Sequence, residues 1–391
     1  MNERSRRMRR TMEKEQLDAL ILTLPENVLL LSGYWPMIGA SVLMFPREGQ
    51  PTCIIPECYR NDLAGIFAEI HQGFYPYGVL SAPAPLTGIR GYLASIAVAS
   101  WKRIGYDGSF GTIAPSWNCA EVLSPLGHAE PFLRSLFPDA ELVDFSGRIE
   151  AERARKTPAE IEKLRVAAEV SALGLQAFDE LAKAGASGVE LAAAVEEAVM
   201  VRGTGFHGAR RVRAFAQVAA GPEESALGYR PNEISTARTL RDGDAALLEL
   251  GVVADGYWAD RTRVRVAGKP TAAQQKIFDA VREAQEAAIA AIRPGALCAE
   301  VDAAARGVIR QRGYEEFFPH STGHGLGFRY HESLGLLAPS STEILEEGMV
   351  VTVEPGIYRQ PEGGFRIEDD VLVTATGAEV LGAHPKRLSG S

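Results

Sequence analysis

Residues 151–391 carry the order helix–helix–strands twice, and this repetition limits the possible folds more than any other feature of the chain. In the first round, Thr157-Pro158-Ala159-Glu160 combines a capping box with proline at the first helical position. Ile161, Leu164, Ala168, Leu175 and Phe178 then fall on one helical face. Ser187-Gly188-Val189-Glu190 opens a second helix that runs to about Arg202, and strand patterns follow at 212–219, 245–253 and 256–266. The second round opens on another capping box, Thr271 to Gln274, with a helix to about Ile292 that stops at Arg293-Pro294-Gly295. A helix over 299–312 ends at Gly313, and strands are expected at 323–331, 349–353 and 364–374. The two rounds share a pattern, not strong residue identity. They predict a pseudo-symmetric α+β domain whose curved sheet is covered by helices on one face.

The chemistry-bearing residues lie in those strands. In ALLELGVVADGYWADRTRV, Asp255-Gly256 is a hairpin turn signal. Pairing Ala254 with Tyr257 sets Gly251 opposite Asp260 and Glu249 opposite Thr262. Side chains alternate with period two, so Glu249 and Asp260 emerge on one face as diagonal neighbours. An acid inside the apolar LLELG strand is costly unless paired or bound to a cation, whereas Asp255 reads as turn chemistry. The second round supplies Glu354, in VTVEPGIY, and Glu368, Asp369 and Asp370, in FRIEDDVLV. Between the hairpin and these two segments lies HSTGHGLGFRYHE, with His320, His324 and His331 and the alternating glycines Gly323, Gly325 and Gly327. Glycine there permits close backbone approach, and neutral imidazole is a common metal ligand. Four strand carboxylates beside a histidine are too many like charges to bury without cations. Two divalent ions about 3.5–4 Å apart would balance them, and the donor set suits manganese, iron, cobalt or zinc. The competing account places the same acids at strand ends in solvent and the histidines in ordinary packing.

Residues 1–150 read as a separate α/β domain. A helix through Met12 and Leu17 leads to strands at 18–24, 41–45 and 52–55; a helix is expected over 61–70 and a strand over 103–109. No concentration of catalytic residue types occurs there, which fits a structural or substrate-closing domain; the apolar run 29–35 suits either closure or core packing. Arg4, Arg6, Arg7, Arg9 and Arg10 make the N-terminus basic, but Thr11 to Asp18 is mostly polar, so a signal peptide is not indicated. A formal net charge of −9 argues against nucleic-acid or anionic-membrane partners, and no apolar run is long enough to span a bilayer. Cys53, Cys58, Cys119 and Cys298 are scattered. They suggest neither a zinc site nor a disulfide framework, and they point to a reducing, cytoplasmic compartment.

The segments LELG, ADRTR, STGHGLG, VTVEPGIY and RIEDD together resemble the pita-bread metallohydrolases, the group of aminopeptidase P, prolidase, methionine aminopeptidase and creatinase. DALILTLPENVLLLSGY resembles the N-terminal domain of its prolidase and creatinase branch, so the likeness covers nearly the whole chain. The resemblance implies two divalent ions, manganese first, held by Glu249, Asp260, His324, Glu354 and Glu368. It further implies Glu354 as general base, His331 and His320 as groups that bind substrate and stabilise an oxyanion, and Arg366 as support for the carboxylates. It implies a homodimer acting on small peptides with proline at the second position.

Two departures stand out. The family normally has aspartate where this chain has Glu249, one methylene longer. A histidine usual upstream of the first ligand is missing from GPEESALGYRPN, which reads Leu227-Gly228-Tyr229 there. Loss of such a group costs about 10²–10⁴-fold in rate, and tyrosine, with an ordinary pKa of about 10, is a poorer proton shuttle; His207 lies earlier in the chain. These departures keep two alternatives open: a creatinase-type hydrolase of a small non-peptide C–N bond, and a catalytically impaired homologue or binding protein on the same fold.

Overall fold

The computed structural model describes residues 2–36, 40–60, 65–76, 88–93, 101–108, 129–230 and 235–389. The chain divides into two units, Met1–Arg153 and Ala154–Ser391.

The first unit contains a mixed six-stranded sheet. Its strands are β1 (Ala19–Leu22), β2 (Val42–Pro46), β3 (Thr52–Pro56), β4 (His71–Tyr75), β5 (Arg103–Tyr106) and β6 (Glu141–Asp144), in the order β4-β3-β2-β1-β5-β6. Helix α1 (Glu3–Lys14) is capped by Asn2, whose side chain accepts from the Ser5 N–H, and α2 (Pro25–Ser32) starts on a proline. Helices α3 (Ala129–Leu136) and α4 (Ser146–Ala154) flank β6 in sequence. The N-terminal arginines are partly structural: Arg4 is buried against Glu152. Val28 to Leu31 are buried in the core. The helix expected over 61–70 is not formed where it is described. Residues 65–70 are turns and coil, with Gly65 at a φ of 93° and the Phe67 N–H drawn to the Ser32 carbonyl; residues 61–64 lie outside the described residues. Ser109 and Cys119 also lie outside them.

The second unit follows the doubled order. Helices α5 (Pro158–Leu181) and α6 (Gly188–Gly203) precede β7 (Val212–Ala220), the short α7 (Gly221–Ser225), β8 (Ala245–Ala254) and β9 (Tyr257–Val266). Helices α8 (Ala272–Ala291) and α9 (Cys298–Gln311) then precede β10 (Gly323–Gly325), β11 (Glu332–Leu337), β12 (Val350–Val353), β13 (Gly356–Arg359), β14 (Gly363–Arg366), β15 (Asp369–Val373) and β16 (Ala378–Val380). Thr157, Ser187 and Thr271 each close a full capping box. Two antiparallel sheets result, β7-β8-β9 and β11-β10-β12-β15-β16, with β13-β14 as a separate hairpin. The two sheets meet where the Glu368 N–H donates to the Thr262 carbonyl and the Asp260 N–H to the Asp370 carboxylate. Ile277, Phe278 and Val281 of α8 and Val301, Ala305 and Ile309 of α9 pack in one core with Val264, Val351, Val353 and Val371. Helices therefore cover one face, and the polar face of the strands is left for the site. No helix among the described residues is long and apolar enough to cross a membrane.

Candidate metal centre

The β8–β9 hairpin has the register that its turn dictates: Ala254 faces Tyr257, Gly251 faces Asp260 and Glu249 faces Thr262. Asp255 and Gly256 both take positive φ, 50° and 92°, as a tight hairpin turn requires, and the Asp255 carboxylate accepts from the backbone of Arg210 and Arg211. Period two separates the residues of ADRTR. Asp260 and Thr262 face the centre, while Arg261 and Arg263 turn the other way and bond Asp369 at 2.6 and 2.7 Å. Lys386, 3.0 Å away, and the Gln285 amide also reach Asp369. Burial alone would raise the Asp369 pKa, but Arg263, Arg261 and Lys386 hold it well below the usual carboxylate range. Asp369 is thus a strut between the sheets, and Asp370, beside Arg261, receives the Asp260 N–H.

The strand expected over 323–331 is confined to Gly323–Gly325. Close approach does require glycine here: a Cβ on Gly323 would lie 1.9 Å from the Thr352 carbonyl oxygen, and one on Gly325 equally close to that of Leu334. Beyond Gly325 the chain leaves the ladder because Glu332 competes for its donors. The Glu332 carboxylate accepts from the N–H groups of Phe328 and Arg329 at 3.0 and 3.2 Å. The resulting turn delivers Tyr330 and His331 to the site.

Donor atoms of Asp260, His324 and Glu368, all buried, lie within 4.8 Å of one another, a group that can hold a metal ion. His324 Nε2 is 3.5 Å from Asp260 Oδ2 and 3.6 Å from Glu354 Oε1. The other ring nitrogen, Nδ1, is 3.0 Å from the Gly325 carbonyl, which assigns its proton and leaves the Nε2 lone pair facing the carboxylates. Burial, with His331 alongside, lowers the His324 pKa to about 4 and keeps the ring neutral. Glu368 Oε2 accepts from the Thr262 hydroxyl at 2.7 Å, while Oε1 is buried with no hydrogen-bond partner. Burial and the neighbouring carboxylates Glu354 and Glu249 push Glu368 well above the ordinary range. Burial with Glu368, Glu249 and Glu354 does the same to Asp260, and burial takes Glu354 to about 7. An orphaned buried carboxylate oxygen, a neutral imidazole with an open lone pair and crowded acids are what a divalent cation would satisfy. The residues fit one.

Glu249 differs from the other three acids. Its Oε1 accepts from the Tyr330 hydroxyl at 2.5 Å, and its Oε2 accepts from the Arg366 guanidinium and lies 2.9 Å from the Thr262 hydroxyl oxygen. Burial would raise its pKa, but Arg366, Tyr330 and Thr262 outweigh that and leave it below the ordinary value. Arg366 also donates to Thr262, Tyr358 and the Gly228 carbonyl. Tyr358 in turn is 2.9 Å from His320 Nε2, and His320 Nδ1 is 2.8 Å from the Ser321 carbonyl. Both nitrogens of His320 are therefore engaged, and burial lowers its pKa to about 3. His331 is open instead: its ring stands 4.2 Å from that of His324, with Nδ1 buried and unpartnered. Tyr229 stacks edge-on against Tyr358, and His207 lies exposed against Glu169.

Sequence reasoning missed Tyr330 and Tyr358, which bond the site carboxylates and histidine. The signal was slight: aromatic residues beside glycines and strands read as core.

The profile of metallopeptidase family M24 matches residues 162–375, more than half of the chain. The chain belongs to metallopeptidase family M24. A second profile, the Creatinase/Prolidase N-terminal domain, matches residues 4–155, so the expected fold class holds for this M24 metallopeptidase. An uncharacterized peptidase of Bacillus subtilis (strain 168) is 31% identical over 372 residues, 95% of either chain. A Xaa-Pro dipeptidase of Pyrococcus furiosus is 29% identical over 382 residues, covering 97% of this chain and 98% of that one. Among solved structures, the prolidase of Pyrococcus horikoshii OT3 superposes with a TM-score of 0.79 at 27% identity, covering 99% of this chain and 100% of that one. The X-Pro aminopeptidase of Thermotoga maritima MSB8 gives a TM-score of 0.80 at 26% identity, with both chains covered completely.

Proposed function

We propose that this M24 metallopeptidase is a proline-specific peptidase that cleaves short Xaa-Pro peptides, dipeptides first. The observation that carries the chemistry is the buried, unpartnered Glu368 Oε1 beside Asp260 and a neutral His324. The proline preference rests on relatives named as Xaa-Pro dipeptidase and prolidase. Asp260, His324 and Glu368 would hold a divalent ion, with Glu354 beside them. Such an ion supplies Lewis acidity and a water of lowered pKa. Glu354, whose pKa burial brings to about 7, accepts the proton of the attacking water and returns it to the leaving nitrogen. His331, with a free ring nitrogen, donates to the substrate carbonyl as it gains negative charge. His320, fixed by Tyr358 and Ser321, orients Tyr358 and Arg366 and is not itself the donor. The full two-ion arrangement would enlist all five of Glu249, Asp260, His324, Glu354 and Glu368, with manganese first and zinc, cobalt or iron behind it. Glu249 would then have to release Tyr330 or Arg366. Free Cys53, Cys58 and Cys298 support a reducing, cytoplasmic setting, and the family resemblance supports a homodimer.

A second reading, hydrolysis of a small non-peptide C–N bond, is favoured by one observation. In the segment that usually carries a proton-shuttling histidine, the Gly228 carbonyl accepts from Arg366 and Tyr229 packs against Tyr358. The test is hydrolysis of Xaa-Pro and Xaa-Ala dipeptides by protein loaded with manganese, with metal content measured on the same sample. Faster cleavage of Xaa-Pro supports the proposal. Bound metal with no dipeptide cleaved overturns it in favour of the second reading, for which amidino compounds are the next substrates.

A further inference from the structure

We infer that the Tyr330 hydroxyl, lodged between Glu249 and Asp260, closes the second cation position of the site, so that this chain holds one divalent ion rather than two. The inference rests on the metallopeptidase reading above and narrows it.

The phenol oxygen is 2.5 Å from Glu249 Oε1 and 2.7 Å from Asp260 Oδ1. An ion shared by these two oxygens would need metal–oxygen bonds of about 2.0–2.2 Å, so it would compete with the hydroxyl for the same space. Tyr330 has little freedom to swing aside. Its ring is packed by Phe215 at 5.0 Å, Trp258 at 5.6 Å and His331 at 4.8 Å between centroids, and the Glu332-capped turn fixes the backbone before it. The far oxygen of Glu249 is no more available, since the Arg366 guanidinium donates to it and the Thr262 hydroxyl crowds it at 2.9 Å.

The extra methylene of Glu249 explains how this arises. The longer side chain brings its carboxylate to the Arg366 guanidinium and to the Tyr330 hydroxyl at once. The rest of the cluster presents the opposite picture: Glu368 Oε1 lacks a partner and His324 Nε2 faces Asp260 and Glu354. Of the four carboxylates, Glu249 is already matched by Arg366, whose guanidinium stays charged at all accessible pH, so it does not call for an ion of its own.

The test is a metal count. Full-length protein is equilibrated with excess manganese, freed of loose ions by gel filtration and analysed by mass spectrometry of the elements, with electron paramagnetic resonance on the same sample. The expected result is about one ion per chain and the signal of an isolated manganese centre. Two ions per chain with an exchange-coupled signal overturns the inference, as does none. The double variant Tyr330→Val/Glu249→Asp is expected to rise to about two ions; a folded double variant still at one overturns the role given to Tyr330. Dipeptide hydrolysis measured in parallel separates the two proposals. Two ions with Xaa-Pro cleavage removes the single-ion inference alone, and one ion with no dipeptide cleaved removes the peptidase reading alone.

Discussion

Whether a buried carboxyl group acts as a ligand or as a strut depends on which donors already reach it, and adjacent residues here fall on opposite sides of that line. Glu368 has an oxygen without a partner and is pushed up by burial and its acidic neighbours; Asp369 is saturated by Arg261, Arg263, Lys386 and Gln285. Their amide variants should therefore behave oppositely. Glu368→Gln removes a carboxyl group whose ionisation the metal-free fold opposes, so in chelator at pH 8 its melting temperature should rise while metal uptake falls. Asp369→Asn strands two fully buried arginines and should cost about 3–5 kcal/mol in urea unfolding, whether or not metal is present. A Glu368→Gln protein that melts lower than the parent in chelator would contradict the assignment. At the reacting end, Glu354→Gln is expected to lower kcat on the cleaved substrate by about 10²–10⁴-fold, read from steady-state kinetics. The chemistry-bearing acids and His324 were legible in the sequence because polar groups inside apolar strands demand a reason. Tyr330 and Tyr358 were not, because a phenol's role depends on where its hydroxyl ends up, and that is set by residues distant in the chain.

At the scale of elements, period and turn chemistry carried most of the reading. Hairpin register follows from Asp255-Gly256 together with alternation, and helix starts follow from the capping boxes at Thr157, Ser187 and Thr271. Alternation also placed Glu249 and Asp260 on one face, where Tyr330 touches both. The failures came where something other than the local strand or helix took over the backbone donors. Residues 326–331 look like an extension of β10, yet Glu332 accepts the N–H groups of Phe328 and Arg329, and no local pattern announces that competition. Likewise residues 65–70 keep a helical apolar spacing but turn at Gly65. Replacing the cap tests its importance. In Glu332→Ala the amides of Phe328 and Arg329 should exchange hydrogen about 10–100-fold faster, the equivalent of about 1–3 kcal/mol of local stability, as seen by exchange mass spectrometry. Unchanged protection there would mean that packing of Tyr330, and not Glu332, shapes the turn.

The stability of the whole molecule should carry the signature of a cation site built from crowded acids. Glu354, at about 7, and Asp260 and Glu368, both raised well above their ordinary values, bind more protons in the folded chain than in the unfolded one. In the absence of metal, stability must therefore fall as pH rises through the range between unfolded and folded pKa values. The histidines act in the other direction. His324 at about 4 and His320 at about 3 stay neutral when folded, so their contribution is lost as pH falls below about 6.5, where the unfolded chain takes up protons. Asp369, held low by its arginines, matters only in stronger acid. As pH rises past 6.5 the histidine contribution approaches its full, constant value, and the carboxylates come to set the slope. Metal-free protein should thus melt at progressively lower temperature from pH 6.5 to 8, while a saturating divalent ion, which favours the ionised carboxylates, should flatten or reverse that trend. The gap between the two melting curves should widen with pH across this window, and calorimetry with and without chelator measures it. A gap that stays constant from pH 6.5 to 8 would mean that ion binding is not linked to carboxyl ionisation, and the assignment of Asp260, Glu354 and Glu368 to the cation would fail with it.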